Sequence, residues 1–251
     1  MLEVFMRRRL LVSVVVLSWC VVAAYGQTAD AVAHRAIDML AGPSWEKARY
    51  FAFTFNVERE GKNLASWSQR WDRYTGDYRV SGKRNGEDLV VVMNTNTKTG
   101  KAWKNGQPVA DPAELLTFGY RRFINDTYWL LMPLKALDPG VHRESDGEKA
   151  GTCGQKYDVV HLSFDAGVGL TSADNYWMWV NRDTGLVDEW HMKLQGSPAD
   201  EKPEQVVFHD YHRIGGLLIS TRREIRDDKQ TVIKLDDVTV SESVPAEAFS
   251  N

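Results

Sequence analysis

Cysteine is nearly missing from this chain, with Cys20 and Cys153 the only two in 251 residues. Cys20 falls in a leading segment read below as removable, and the one remaining thiol closes no internal disulfide. The fold therefore rests on its packed core, for which about 225 residues are ample. There is no basic stripe to neutralise a row of phosphates, which excludes nucleic acid as a partner. Past the leading segment no apolar run reaches the ~20 residues of a spanning helix, so no transmembrane segment is expected after that segment is cleaved. Gly-rich phosphate loops and the Gly-x-Ser-x-Gly elbow of serine hydrolases are absent as well, and no cofactor is expected.

What is present begins with Arg7, Arg8 and Arg9 directly before the apolar run Leu10 to Ala24. That is the order of a secretory signal, and Ala24-Tyr25-Gly26 sets small residues at the two positions a signal peptidase reads. Residues 1–26 are thus expected to be a signal peptide, leaving Gln27 first in a soluble protein outside the cytoplasm. Lipidation at Cys20 is the alternative, but Trp19 stands where such signals carry a small residue. Cleavage removes three arginines and Glu3 from 31 basic and 34 acidic residues, leaving a net charge near −5.

From Thr28 to Leu40 the residues Val32, Ala36, Ile37, Met39 and Leu40 follow helical spacing, with Asp30 near the start and Gly42-Pro43 as a stop. At Tyr50 the period becomes two: Phe51, Phe53, Phe55 and Val57 alternate with smaller or polar residues, as in a half-buried strand. Turns at Glu60-Gly61, Thr75-Gly76, Asn85-Gly86, Thr99-Gly100 and Asn105-Gly106 divide a meander of about five strands, hence an antiparallel sheet.

Asp111-Pro112-Ala113-Glu114 reads as a helix start, with a cap, a proline at the first position and a glutamate able to reach back. A helical insertion is expected over about 111–137, with a second cap at Asn125-Asp126 and a very apolar segment, Tyr128 to Met132, ending at Pro133. Strands resume near Val141, with a turn at Ser145-Asp146-Gly147, and continue through Tyr157–Phe164, Tyr176–Asn181, Leu186–Leu194, Gln205–Tyr211, Leu217–Ile225 and Val232–Val240. About twelve strands and no proline-rich linker make residues 27–251 one domain.

Chemistry has little purchase here. His209-Asp210-Tyr211-His212 offers imidazoles and a carboxylate, but residues 209 and 212 of a strand point to opposite faces, so no metal site is expected. Cys153, between Thr152 and Gly154, reads as an incidental thiol in a turn. Aromatic surface stands out instead: eight tryptophans follow the signal, and Tyr176-Trp177-Met178-Trp179 carries large groups on both faces. Something must cover the second face. Either these rings are core, or Trp67, Trp71, Trp103, Trp129 and Trp177 line a cavity for an apolar ligand.

The opening helix, the meander with Trp71-Asp72-Arg73-Tyr74-Thr75-Gly76-Asp77-Tyr78-Arg79, the helical insertion, the hairpin Trp179 to Leu186, the pair Tyr211 to Leu217 and the tail Val238 to Phe249 resemble the LolA/LolB-like periplasmic lipoprotein-carrier superfamily, most of all its outer branch. The resemblance implies a mainly β fold, a curved antiparallel sheet forming a half-open β-barrel with a few helices as lid. Its concave side would hold acyl chains or another apolar ligand. In the carriers an arginine followed by proline on the second strand helps to hold the lid. Here Arg70 and Arg73 occupy the matching region, followed by Trp71 and Tyr74, and are the candidate lid contacts. Tyr128, Trp129 and Met132 fall where the carriers have lid helices, in a segment otherwise unlike theirs.

Three functions are therefore compatible with the sequence. The first is a non-catalytic binding protein or carrier for a lipid or acyl chain. The second is a sensor or interaction module acting on an envelope partner. The third, an extracytoplasmic enzyme, has no catalytic grouping behind it.

Overall fold

The computed structural model describes residues 27–227 and 229–251; residues 1–26, on which the expected signal peptide and Cys20 fall, lie outside them. The first helix, α1 (Ala29–Leu40), starts where Thr28 Oγ1 accepts from the Ala31 amide, a cap worth about 1 kcal/mol, and buries Val32, Ala33, Ala36 and Leu40. A single further turn, α2 (Ser44–Lys47), follows Gly42.

Thirteen strands then form one sheet. They are β1 (Tyr50–Arg59), β2 (Lys62–Asp72), β3 (Asp77–Arg84), β4 (Glu87–Asn94), β5 (Thr99–Lys104), β6 (Gln107–Pro108), β7 (Val141–Ala150), β8 (Lys156–Phe164), β9 (Asn175–Asn181), β10 (Val187–Lys193), β11 (Glu204–Ile214), β12 (Leu217–Ile225) and β13 (Val232–Ser241). Every pairing is antiparallel. The order β6-β5-β4-β3-β2-β1-β13-β12-β11-β10-β9-β8-β7 joins each strand to its chain neighbour, except at the centre, where the first strand meets the last. The edges β6 and β7 do not pair, so the sheet stays an open, curved half-barrel, the expected class.

That order dictates where the insertion lies. The chain leaves the sheet at one edge, β6, and re-enters at the other, β7, so the connection must cross the inner face. It does so as α3 (Ala113–Leu131), about 28 Å of helix, followed by a 3-10 turn (Met132–Lys135). Leu115, Gly119, Asp126 and Leu130 of α3 are buried, one stripe at helical spacing turned to the sheet. Gly119 lets the helix lie close: a Cβ there would stand 2.8 Å from Val91 Cγ1 on β4.

Three expectations need correction. α3 runs through Asn125 and Asp126 without a second start, because the Asp126 carboxylate is engaged sideways rather than as a cap. The capping box at its start does not form: Glu114 pairs with Arg84 at 3.0 Å instead. Ser145-Asp146-Gly147 is a bulge within β7, not a reversal, since pairing with β8 resumes at Glu148 opposite Asp158; the chain turns at 151–155.

The core divides under the helix. Trp67, Tyr78, Val80, Leu89, Val91 and Met93 pack beneath the first half of α3. Its last turn and the 3-10 turn join a larger cluster with α1 and the inward residues of β8 to β13, among them Val160, Met178 and Trp190.

Candidate functional site

Between these two clusters lies a buried polar seam. Gln69 of β2 and Asp126 of α3 are both fully shielded from solvent. Gln69 Nε2 donates to Asp126 Oδ2, and Tyr78 Oη donates to Gln69 Oε1 at 2.6 Å. Arg122, one turn earlier on the helix, lies 2.5 Å from Asp126 Oδ2 and over the rings of Phe55 and Trp67. Burial pushes the Asp126 carboxyl up to about 6, against the pull of Arg122 and its hydrogen bonds.

Aromatic rings continue the contact along the helix. Phe118 meets Trp67 at 5.1 Å, Phe123 meets Trp71 and Tyr78 at 5.2 Å each, and Tyr128 meets Tyr176 at 5.7 Å and Trp190 at 6.5 Å. Such pairs, edge-on except for the tilted Tyr128–Tyr176, add about 0.5–1.5 kcal/mol each beyond their buried area.

At the C-terminal end of α3 a cleft is walled by Leu40, Leu130, Leu131, Pro133, Leu134, Phe208, Tyr211, Ile219 and Arg223. Its free volume is about 10 Å³, the room of a single water. Arg223, on β12 and 1 % exposed, sits at its base. The guanidinium lies 4.8 Å from the Phe208 ring, and Nη2 donates to the Leu130 carbonyl at 3.4 Å. A larger hollow, about 910 Å³, beside α1 and lined by His34, Arg35, Asp38 and Arg213, is wide open to solvent.

The residues singled out from sequence separate into two groups. Trp67 and Trp71 on β2, and Tyr128, Trp129 and Met132 on and after α3, meet beneath or within the helical cover. Trp103 and Trp177 lie on the other face, because their strand neighbours Ala102, Tyr176 and Met178 point inward. Among the described residues no helix covers that face at Trp177: His161 stacks on it at 5.0 Å, and His191 lies tilted against Trp179 at 4.6 Å. Arg70 donates to the Ala248 carbonyl in the C-terminal tail and Arg73 to Trp45 of α2, so neither bonds the helical cover. Among the described residues Arg223 bonds the backbone of α3 at Leu130, and Arg143 bonds the Ala136 carbonyl at the end of the 3-10 turn; sequence reading missed Arg223, as it missed Gln69, Arg122 and Asp126. Period two from Leu217 and Ile219 sets Arg223 inward, and the stripe Leu115, Gly119, Asp126, Leu130 sets Asp126 against the sheet.

His209 lies 3.8 Å from Glu224 while His212 is exposed, and Asp210 between them has a left-handed φ of 51°. Among the described residues no group of three metal-ligating side chains converges, and no helix is long and apolar enough to cross a membrane.

No family model matches the sequence, and no curated protein matches it. Solved structures do match in shape. A LolA superfamily protein from Nitrosomonas europaea superposes with a TM-score of 0.52 at 12 % identity, over 90 % of this chain and 99 % of the other. A DUF1329 family protein from Desulfovibrio piger also gives 0.52, at 13 % identity, over 90 % and 98 %. This chain thus shares its fold, an open antiparallel half-barrel, with a LolA superfamily protein and a DUF1329 family protein over nearly the full length of both.

Proposed function

We propose that this protein is an exported, non-catalytic binding protein or carrier for an apolar ligand, a lipid or a lipoprotein acyl chain, held between α3 and the inner face of the sheet. The observation that carries this reading is the helical cover itself. Its connection spans an open sheet edge to edge, and its last turn with the following 3-10 turn presents Leu130, Leu131, Met132, Pro133 and Leu134, all buried. A cover held by side-chain packing, with no backbone ladder to the sheet, separates at less cost than a strand does, and separation exposes a continuous apolar surface. The signal order of residues 7–26 supports delivery outside the cytoplasm.

Native mass spectrometry of protein purified from its own envelope tests this. Added mass that solvent extraction releases as acyl chains is the expected result; clean apo mass, with no uptake of an apolar fluorescent probe, overturns it.

A second reading, an interaction module for an envelope partner, is favoured by the half-buried outer-face rings Trp177 and Trp179 with His161 and His191. Stable co-purification of one envelope protein, lost on Trp177→Ala, would support it over the carrier reading.

A further inference from the structure

Among the described residues, buried charge is compensated with one exception. Asp72 faces Arg49, Asp126 faces Arg122, Asp158 faces Arg35, and Asp174 accepts hydrogen bonds from Thr171, Tyr176 and Gln195. Arg223 is buried among apolar side chains with no acidic partner among the described residues. Its Nε and Nη1 have no hydrogen-bond partner, and Nη2 has only the 3.4 Å contact to Leu130 O. Tyr211, alongside, spends its hydroxyl on the Val187 carbonyl at 2.6 Å. The cleft has space for one water, which solvates a donor but does not neutralise a cation. Each free donor shares an edge of the guanidinium with Nη2, so a bidentate oxyanion is held on either edge once Nη2 turns from Leu130 O to the ligand.

We propose that Arg223 seats the head of an anionic amphiphile: a carboxylate or phosphate pairs with the guanidinium while the apolar chain lies along Leu130, Leu131, Leu134, Phe208 and Ile219. This rests on the apolar-ligand reading above and names the ligand's class. With so little free volume, the ligand enters as the end of α3 and the 3-10 turn lift away. The bond to Leu130 O, at the limit of hydrogen-bond length, is the contact that entry gives up. Burial also draws the guanidinium down to about 10, so its ionised form is the one that gains when an anion arrives.

The test is to titrate the mature protein with dodecanoate, dodecyl phosphate and dodecanol, reading tryptophan emission, in the wild type, Arg223→Met and Arg223→Lys. The wild type is expected to bind both anions at least tenfold more tightly than dodecanol. Arg223→Met should bind all three alike, and Arg223→Lys should keep part of the preference. Without ligand, Arg223→Met should melt at a higher temperature than the wild type, because an uncompensated buried charge is gone. Equal wild-type affinity for dodecanol and dodecanoate would overturn the anion seat and leave the apolar site standing; binding of none of the three overturns both. A preference surviving in Arg223→Met would assign the head to another group, and inorganic phosphate binding as tightly as dodecyl phosphate would make the ligand a free ion. Should Arg223→Met fail to fold, the wild-type comparison decides.

Discussion

Asp126 on the crossing helix and Gln69 on the second strand are bonded to each other with no solvent reaching either, and this pair ties the helical cover to the first half of the sheet. A carboxylate is an expensive choice for that position. Desolvation raises its pKa even with Arg122 beside it, so the pair carries a pH dependence that a neutral amide would not.

Folded Asp126 keeps its proton to about pH 6, whereas an ordinary aspartate releases it near 3.8. Between these values the folded state binds more protons than the unfolded one, so this group's contribution is fullest below pH 3.8 and is lost as pH rises through about 6. The loss over that window is on the order of 3 kcal/mol at most. Thermal melts of the wild type and Asp126→Asn from pH 4 to 7 measure it. Asp126→Asn should lose this falling component, and parallel profiles for the two proteins would refute the assignment.

Gly119 sets how closely the cover lies on β4, with Val91 Cγ1 only 2.8 Å from where a Cβ would be. Gly119→Leu should lower stability by about 1–3 kcal/mol through overpacking, outweighing the better helix propensity of leucine. Hydrogen exchange should rise mainly in residues 113–131. A global rise of equal size everywhere would show that α3 does not open separately from the sheet.

Cys153 is exposed in the turn that joins β7 to β8, its amide donating to Gln155 Oε1. Cys153→Ser should change stability by less than about 0.5 kcal/mol, since the side chain packs against no core. A melting shift of several degrees would contradict this.

Strand positions were legible where a turn has chemistry of its own. Asn85-Gly86 and Asn105-Gly106 both adopt left-handed φ at each residue, which only a few residue types accept, and each ends a strand as read. The same logic failed at Asp146-Gly147, because a glycine with φ 78° serves a bulge as well as a hairpin, and only the partner strand decides which. Asn125-Asp126 misled for a different reason: cap-forming side chains are also good buried acceptors, and the partner Gln69 lies 57 residues away. The aromatic residues were read without their strand parity, which separates Trp67 and Trp71 beneath the helix from Trp103 and Trp177 on the outer face. Arg223 was hidden by its neighbour Arg222, since two adjacent arginines look like a solvated edge until the inward parity of Leu217 and Ile219 is carried forward.

Trp129 is the residue whose substitution separates cover from core. It lies half-buried on the last turn of α3, packed against the main cluster, and is followed by Leu130, Leu131 and Met132, which are fully inside. Were these residues only core, Trp129→Ala would cost stability alone, about 2–3 kcal/mol for a partly buried ring. If the turn is a cover over an apolar ligand, the lost contact divides between the closed fold and the ligand complex. The substituted protein should then stay folded, with a melting temperature lower by several degrees, while its affinity for an apolar fluorescent probe falls roughly tenfold. Probe titration and calorimetry on the same samples resolve the two quantities. Unchanged probe affinity alongside the full stability loss would place Trp129 in plain core and remove the main support for a ligand beneath the helix.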